Sequence, residues 1–110
     1  MAKQTPLRNS SSLNASAFSK TMETEIRRLW RAGLLQEAEQ EARRLLSVDK
    51  KSPAALFILG NITRDMGKTD EAITWFRKCI KVAPHHYGAH ANLGGILLGQ
   101  GMLAEALKCL

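Results

Sequence analysis

The sequence predicts an all-α fold, a helical solenoid of about three antiparallel helix hairpins. The first observation is the segment 53–84, where apolar residues recur at helical spacing over two consecutive stretches. The second is the composition, because 45% hydrophobic but only 5% aromatic residues suit a core of Leu, Ile and Ala. The third is a skeleton that returns thirty-four residues later, Leu59-Gly60, Ile62, Gly67 and Glu71-Ala72 becoming Leu93-Gly94, Ile96, Gly101 and Glu105-Ala106.

The period and the small residues of the middle unit resemble those of the tetratricopeptide repeat (TPR) family. Leu56 and Thr63 stand where the family usually has Trp and Tyr. The positions that agree with the family are Leu59, Gly60, Ala72, Phe76 and Pro84. The resemblance implies a TPR-like superhelix over residues 20–110, with repeats at about 19–52, 53–86 and 87–110, the last one truncated.

The start of the chain, residues 1–19, is basic and rich in Ser and Asn, without acidic residues or helical periodicity. We expect a disordered tail, because such a segment buries too little apolar surface to offset the entropy of ordering. An organelle transit peptide is the alternative, although the segment lacks recurrent Arg residues on an amphipathic helix.

The first repeat, 19–52, is the weakest copy, with Ile26 at the position of the packing Gly. A helix is predicted over about 20–32, and Gly33 is its C-terminal stop. A second helix is predicted over 36–48, with early acidic and late basic residues that complement the helix dipole. Its apolar stripe is Leu35, Ala38, Ala42, Leu45 and Leu46.

The second repeat opens with Ser52 as the cap and Pro53 at the first helical position, where its missing N–H is not needed. The predicted helix over 53–66 is apolar on most sides and ends at Gly67. Thr69 or Asp70 is expected to cap its partner helix, which continues to about residue 82 and stops near a proline.

The third repeat begins with a predicted helix over 87–100 that contains several glycines, each costing up to about 1 kcal/mol relative to Ala. Gly94 is the close-packing residue of the family, whereas Gly95 and Gly99 have no such explanation. The chain stops within the predicted second helix, and we therefore expect a fragment or an N-terminal piece of a longer protein.

Half of the net charge of +6 lies in the first 20 residues, as Lys3, Arg8 and Lys20 without any acidic residue. A nucleic-acid interface is not expected, because the basic residues are not gathered on one surface with aromatic rings between them. We expect a soluble, cytoplasmic protein without membrane contact, since no apolar run is long enough to span a bilayer. Cys79 and Cys109 are read as reduced thiols, Cys79 on the buried side of its helix.

Two short motifs suggest chemistry that their context does not support. Gly67-Lys68-Thr69 resembles the end of a phosphate-binding loop, but the preceding glycine is wrongly spaced and the segment follows a helix. His86 and His90 have the i, i+4 spacing of metal ligands, without a third ligand close in sequence. We favour a turn position for His85 and His86 and a packing role for His90, and we expect no catalysis, cofactor or metal.

The resemblance places the first helix of each hairpin on the inner face and implies a groove that binds a peptide or a partner helix. Asn92 resembles the inner asparagines of the O-linked sugar transferase repeats, with a simple surface amide as the alternative. The implied partner-binding residues are Glu23, Arg27, Trp30, Phe57, Asn61, Arg64, Gly88, Ala91, Asn92, Gly95 and Gly99.

The function expected from the sequence is therefore a protein-binding scaffold without catalytic activity. The alternative is the N-terminal arm of a larger enzyme, such as a sulfotransferase or a glycosyltransferase. The small-residue face of Gly88, Ala91, Gly95 and Gly99 also predicts self-association, because an uncovered face of this kind favours burial against a second copy.

Overall fold

The structure, a computed structural model, describes residues 11–109 of the 110-residue chain. The described part is helical and confirms the predicted all-α fold. The helices in chain order are α1 (Ser11–Arg31), α2 (Leu35–Val48), α3 (Pro53–Asp65), α4 (Thr69–Val82), α5 (Tyr87–Gly99) and α6 (Leu103–Cys109).

Consecutive helices pack as hairpins, α1 with α2, α3 with α4 and α5 with α6, and each hairpin also packs against the next one. The Cα radius of gyration is 16.1 Å, whereas a compact chain of this length has one of about 13 Å. The principal extents are 60 × 28 × 17 Å. The hairpins therefore stack in one direction, as a solenoid requires.

The three turns inside the hairpins have the same construction. Gly33, Gly67 and Gly101 have φ angles of 82°, 83° and 78°, in the left-handed region that glycine enters without a steric penalty. In each turn the following residue donates its N–H to a carbonyl five residues back, as Lys68 does to Thr63 over 2.8 Å. The predicted helix stops at Gly33 and Gly67 are confirmed.

The helix caps are partly as predicted. The hydroxyl oxygen of Ser52 accepts a hydrogen bond from the Ala55 N–H at 3.1 Å and caps α3. The prediction that Thr69 or Asp70 caps α4 is wrong, because α4 begins at Thr69 and Lys68 occupies the cap position without a side-chain bond. The left-handed turn at the preceding glycine, with the bond from the Lys68 N–H, fixes this register.

The first helix begins nine residues earlier than predicted. The last part of the predicted tail, residues 11–19, is helical and continuous with the remainder of α1, and residues 1–10 lie outside the described part. The residues from Met22 onward are packed in the core. Extending the helix toward its N-terminus then gains one backbone hydrogen bond for each residue that becomes ordered. The boundary at residue 19 was therefore drawn too late.

Small and large residues are exchanged between the first two hairpins. In the second hairpin Gly60 faces the ring of Phe76, and a Cβ at Gly60 would lie 2.5 Å from the ring atom Cε1. The residues thirty-four positions earlier are Ile26 and Ala42, so the large side chain there belongs to the first helix. Ile26, Ala42 and Phe76 are all fully buried. At this position the large residue belongs to α1 in the first hairpin and to α4 in the second.

The core consists of two clusters of buried residues, one centred on α1, α2 and α3 and one on α4 and α5. Cys79 lies in the second cluster, fully buried and unpaired, as predicted for a core thiol. The prediction for the Cys109 side chain falls outside the described side chains. Among residues 11–109, no helix has both the length and the apolar character needed to cross a membrane.

Candidate functional site

The first helices of the hairpins, α1, α3 and α5, form one row and carry the predicted partner-binding residues. Two side-chain hydrogen bonds join the row. The Trp30 indole N–H donates to Asp65 Oδ2 at 2.7 Å, which links α1 to α3. The Asn92 amide donates to Asn61 Oδ1, also at 2.7 Å, which links α3 to α5.

The side chains of Asn61 and Asn92 bond to each other within the molecule. Asn61 is only 2% exposed, so its carbonyl oxygen depends on the Asn92 amide for a partner. Asn92 itself is half-buried. Because a buried amide that loses its partner is costly, the pair fixes the spacing of α3 and α5.

The charged residues of the row pair with near neighbours in sequence. Arg27 lies 3.8 Å from Glu23 on the same face of α1. Arg64 lies 3.4 Å from Asp65. Since these groups are partly exposed, the pairs contribute little to stability.

Gly88 is covered by an aromatic side chain. A Cβ at Gly88 would lie 2.9 Å from Phe57 Cζ, and the centroid of the Phe57 ring is 4.6 Å from that of the His86 ring. The expectation that Gly88 belongs to a bare face is therefore wrong. Because Gly88 has no side chain, the Phe57 ring of α3 can lie close to its backbone.

The open part of α5 begins beyond the covered glycine. A Cβ at Gly95 or Gly99 would meet no atom within 4 Å, apart from the neighbouring backbone of the helix. Ala91 is exposed, and Leu98 on the same helix is 43% exposed. These four residues are called the open α5 face below.

A cavity of about 480 Å³ lies at the other end of the row, between the middle of α1 and the start of α3. The cavity was not predicted from the sequence, because several of its lining residues come from the end of α2 and the turn that follows. A signal was present, however, since Glu23 occupies the repeat position that Phe57 holds in the next hairpin. The lining includes Lys20, Glu23, Val48, Asp49, Ser52 and Ala54.

The histidines next to the third hairpin have structural partners. His86 caps α5, its Nδ1 accepting the Ala89 N–H at 3.1 Å. His90 Nε2 is 2.8 Å from the carbonyl oxygen of Pro84. No group of three potential metal ligands occurs in the part of the chain that the structure describes. His85 and His86 lie at the turn before α5, as favoured from the sequence, whereas the packing role of His90 stays a prediction.

The second helices, α2, α4 and α6, form a second row joined by ion pairs. Arg43 lies 3.4 Å from Glu71, and Arg77 lies 2.5 Å from Glu105. The two pairs are related by a shift of thirty-four residues, which is the signal in the sequence that could have revealed them. The Arg43 guanidinium also lies 5.3 Å from the centre of the Trp75 ring, a cation–π arrangement.

Stacked hairpins with equal glycine turns, a glycine-to-ring contact inside one hairpin and two parallel rows of helices define a TPR-type solenoid. Comparison with protein families gives the particular family. Residues 31–110 match the model described as anaphase-promoting complex, cyclosome, subunit 3, and the chain belongs to that family.

A curated relative covers most of this chain. The chain is 33% identical over 83 residues to the probable biofilm formation methyltransferase WspC of Pseudomonas putida. The match takes in 76% of this chain but 20% of the relative. The chain thus spans about a fifth of the length of that protein.

Solved structures share the fold. MamA (41-end) of Desulfovibrio magneticus RS-1 has a TM-score of 0.76 at 26% identity, over 83% of this chain and 51% of MamA. The Yersinia enterocolitica type III secretion chaperone SycD, in complex with a peptide of the translocator YopD, has a TM-score of 0.77 at 20% identity. That match covers 82% of this chain and 69% of SycD, and it shows the fold alone.

Proposed function

We propose that the chain is a protein-interaction module that binds a peptide or a partner helix along the row formed by α1, α3 and α5, without catalysis of its own. One observation carries the proposal. The row combines an open α5 face with a cavity at its opposite end, while the asparagine and Trp–Asp hydrogen bonds hold the helices between them at a fixed spacing. A preformed surface of this kind binds a segment with little reorganisation.

The likeness to SycD supports this mode of binding. SycD has the same arrangement of hairpins and is solved with a peptide of its translocator. In solenoids the concave side of the stacked repeats is the extended binding surface. By analogy, a partner segment of this chain lies across the first helices, in contact with the open α5 face.

The test uses peptides selected from a random displayed library against the purified chain, with binding measured by calorimetry. Gly95→Leu places a bulky side chain on the open α5 face, and we expect it to weaken binding at least about tenfold, equivalent to about 1.4 kcal/mol. Gln40→Leu adds the same side chain to an exposed position of the other row. Equal affinities for the two variants would contradict the proposal.

Self-association is proposed for the same face. The open α5 face exposes Leu98 beside two glycines, and such a surface favours contact with a second copy. SycD, with which the fold is shared, has been crystallised as a dimer described as alternative. Light scattering should show a dimer, formed by contact of the two faces or by exchange of helices. Gly95→Leu should weaken this dimer. A monomer at high concentration would remove the idea.

A second candidate function is the arm of a larger enzyme. It is favoured by the match to WspC, which is named a probable methyltransferase and is about five times as long as the matching part. The sulfotransferase and glycosyltransferase alternatives stay predictions. Reading the gene on both sides of this segment distinguishes these cases, because an adjoining catalytic domain supports the arm and the lack of one on either side contradicts it.

A further inference from the structure

The cavity beside Glu23 is bounded by three parts of the chain. Glu23 and Lys20 contribute from α1, Val48 and Asp49 from the end of α2, and Ala54 from the first turn of α3. Its volume of about 480 Å³ falls within the range of about 300–1,000 Å³ that is typical of small ligand sites. The exposed surface of the lining is mostly apolar, although charged residues contribute to it.

The corresponding place at the next junction, between α3 and α5, is filled by the chain itself. A shift of thirty-four residues turns Glu23 into Phe57, Ser52 into His86 and Ala54 into Gly88. There the Phe57 ring packs on the His86 ring at 4.6 Å and on the bare backbone of Gly88. The internal repeat therefore shows which kind of group occupies this position when it is filled.

We propose that the cavity receives an aromatic side chain of the bound partner segment, in the place that Phe57 takes at the next junction. This inference rests on the proposed function and names the residue type that the groove selects. Glu23 cannot fill the cavity itself, because its carboxylate is turned to Arg27, 3.8 Å away, and would be desolvated among apolar atoms.

The charged groups of the lining do not select a charge on the partner. With Glu23 paired to Arg27, the remaining charged groups are Lys20 and Asp49, one of each sign. The preference of the cavity is therefore for the aromatic ring itself.

The experiment titrates the ¹⁵N-labelled chain with N-acetyl-Phe-Lys-amide and follows the backbone amides by NMR. We expect saturable shifts confined to residues 19–23 and 48–54. N-acetyl-Leu-Lys-amide is the matched control, and it should bind at least about threefold more weakly. Shifts that spread over the whole chain, or equal affinities for the Phe and Leu probes, would overturn the proposal.

A double variant reproduces the filled junction in the first repeat. Glu23→Phe supplies the ring, and Ala54→Gly removes the Cβ that Gly88 lacks at the corresponding position. We expect this variant to keep its helical circular dichroism and to lose the probe-induced shifts. Gln40→Phe, at an exposed site on α2, is the control and should bind like the parent chain. Probe binding by the double variant at parental affinity would overturn the assignment of the cavity.

The failure of this inference differs from a failure of the proposed function. If library-selected peptides lose affinity with Gly95→Leu but bind the Glu23→Phe/Ala54→Gly variant at parental affinity, the groove binds partners and the aromatic subsite is wrong. If selected peptides are rich in aromatic residues and lose at least about tenfold in affinity with the double variant, the subsite is supported directly.

Discussion

Gly60→Ala is the sharpest test of the packing inside the second hairpin. The added Cβ would lie 2.5, 2.6 and 2.8 Å from three ring atoms of Phe76, whereas ordinary carbon contacts lie at about 3.5–4.0 Å. Phe76 is fully buried, so the ring has no free space into which to move. Overpacking of this kind costs about 1–3 kcal/mol.

The helical preference of alanine offsets part of that cost. Replacing an interior helical glycine by Ala gains about 1 kcal/mol. We therefore expect Gly60→Ala to lower the free energy of unfolding by about 1 kcal/mol, the midpoint of the balance between about 1–3 kcal/mol lost and about 1 kcal/mol gained. Gly95→Ala is the matched control, since its Cβ meets nothing within 4 Å and only the gain applies.

Urea unfolding followed by circular dichroism measures both variants. The difference between them should be about 2 kcal/mol, the sum of one loss and one gain of about 1 kcal/mol each. Phe76→Ala completes a double-mutant cycle, because in its background Gly60→Ala should no longer be harmful. If Gly60→Ala is as stable as Gly95→Ala, or the cycle shows no coupling, the contact between Gly60 and the ring is wrong.

Three further changes test other contacts. Ser52→Ala removes the cap of α3 and should cost about 1 kcal/mol of unfolding free energy by urea titration. Asn92→Ala leaves the 2%-exposed Asn61 amide without its partner and should cost about 1–3 kcal/mol in the same assay. Burial raises the pKa of the Cys79 thiol. The protonated thiol therefore stabilises the folded chain at neutral pH, and this contribution is lost as the pH rises through the raised pKa. In a Cys109→Ser background, this thiol should therefore react with Ellman's reagent only as the chain unfolds.

Each of these has an outcome that contradicts it. Ser47→Ala, which removes an exposed hydroxyl bonded to the Arg44 carbonyl, is the control for the cap, and equal costs would show that the Ser52 bond is unimportant. A neutral Asn92→Ala would mean that water satisfies the partner amide. Rapid labelling of the native thiol would show that Cys79 is not buried.

The helix boundaries that the sequence predicted well are set by local chemistry. Gly33 and Gly67 adopt left-handed conformations that other residues avoid, and Ser52 with Pro53 starts a helix through its own side chain and missing donor. These signals are contained in a few neighbouring residues. They can therefore be read without knowing what packs nearby.

The errors concern features that depend on the surroundings. Residues 11–19 are rich in Ser and show no helical periodicity, yet they extend a helix that is already packed further along. Gly88 resembles a bare surface glycine until Phe57, thirty-one residues earlier, is placed over it. The cavity beside Glu23 also arises from three separated segments. Local pattern cannot supply such contacts, although comparison of repeat positions, Glu23 with Phe57, could have indicated the cavity.

The two rows of helices differ in mechanical terms. Short, rigid links at 2.7 Å join the first row, Asn92 to Asn61 and Trp30 to Asp65, and separating those helices breaks them. The second row is joined by long arginine side chains, which can follow a displacement by changing rotamer while staying near their carboxylates. Bending is therefore expected to preserve the spacing of the first row and to change that of the second. A partner bound along the first row, as proposed above, would meet a nearly constant spacing of helices.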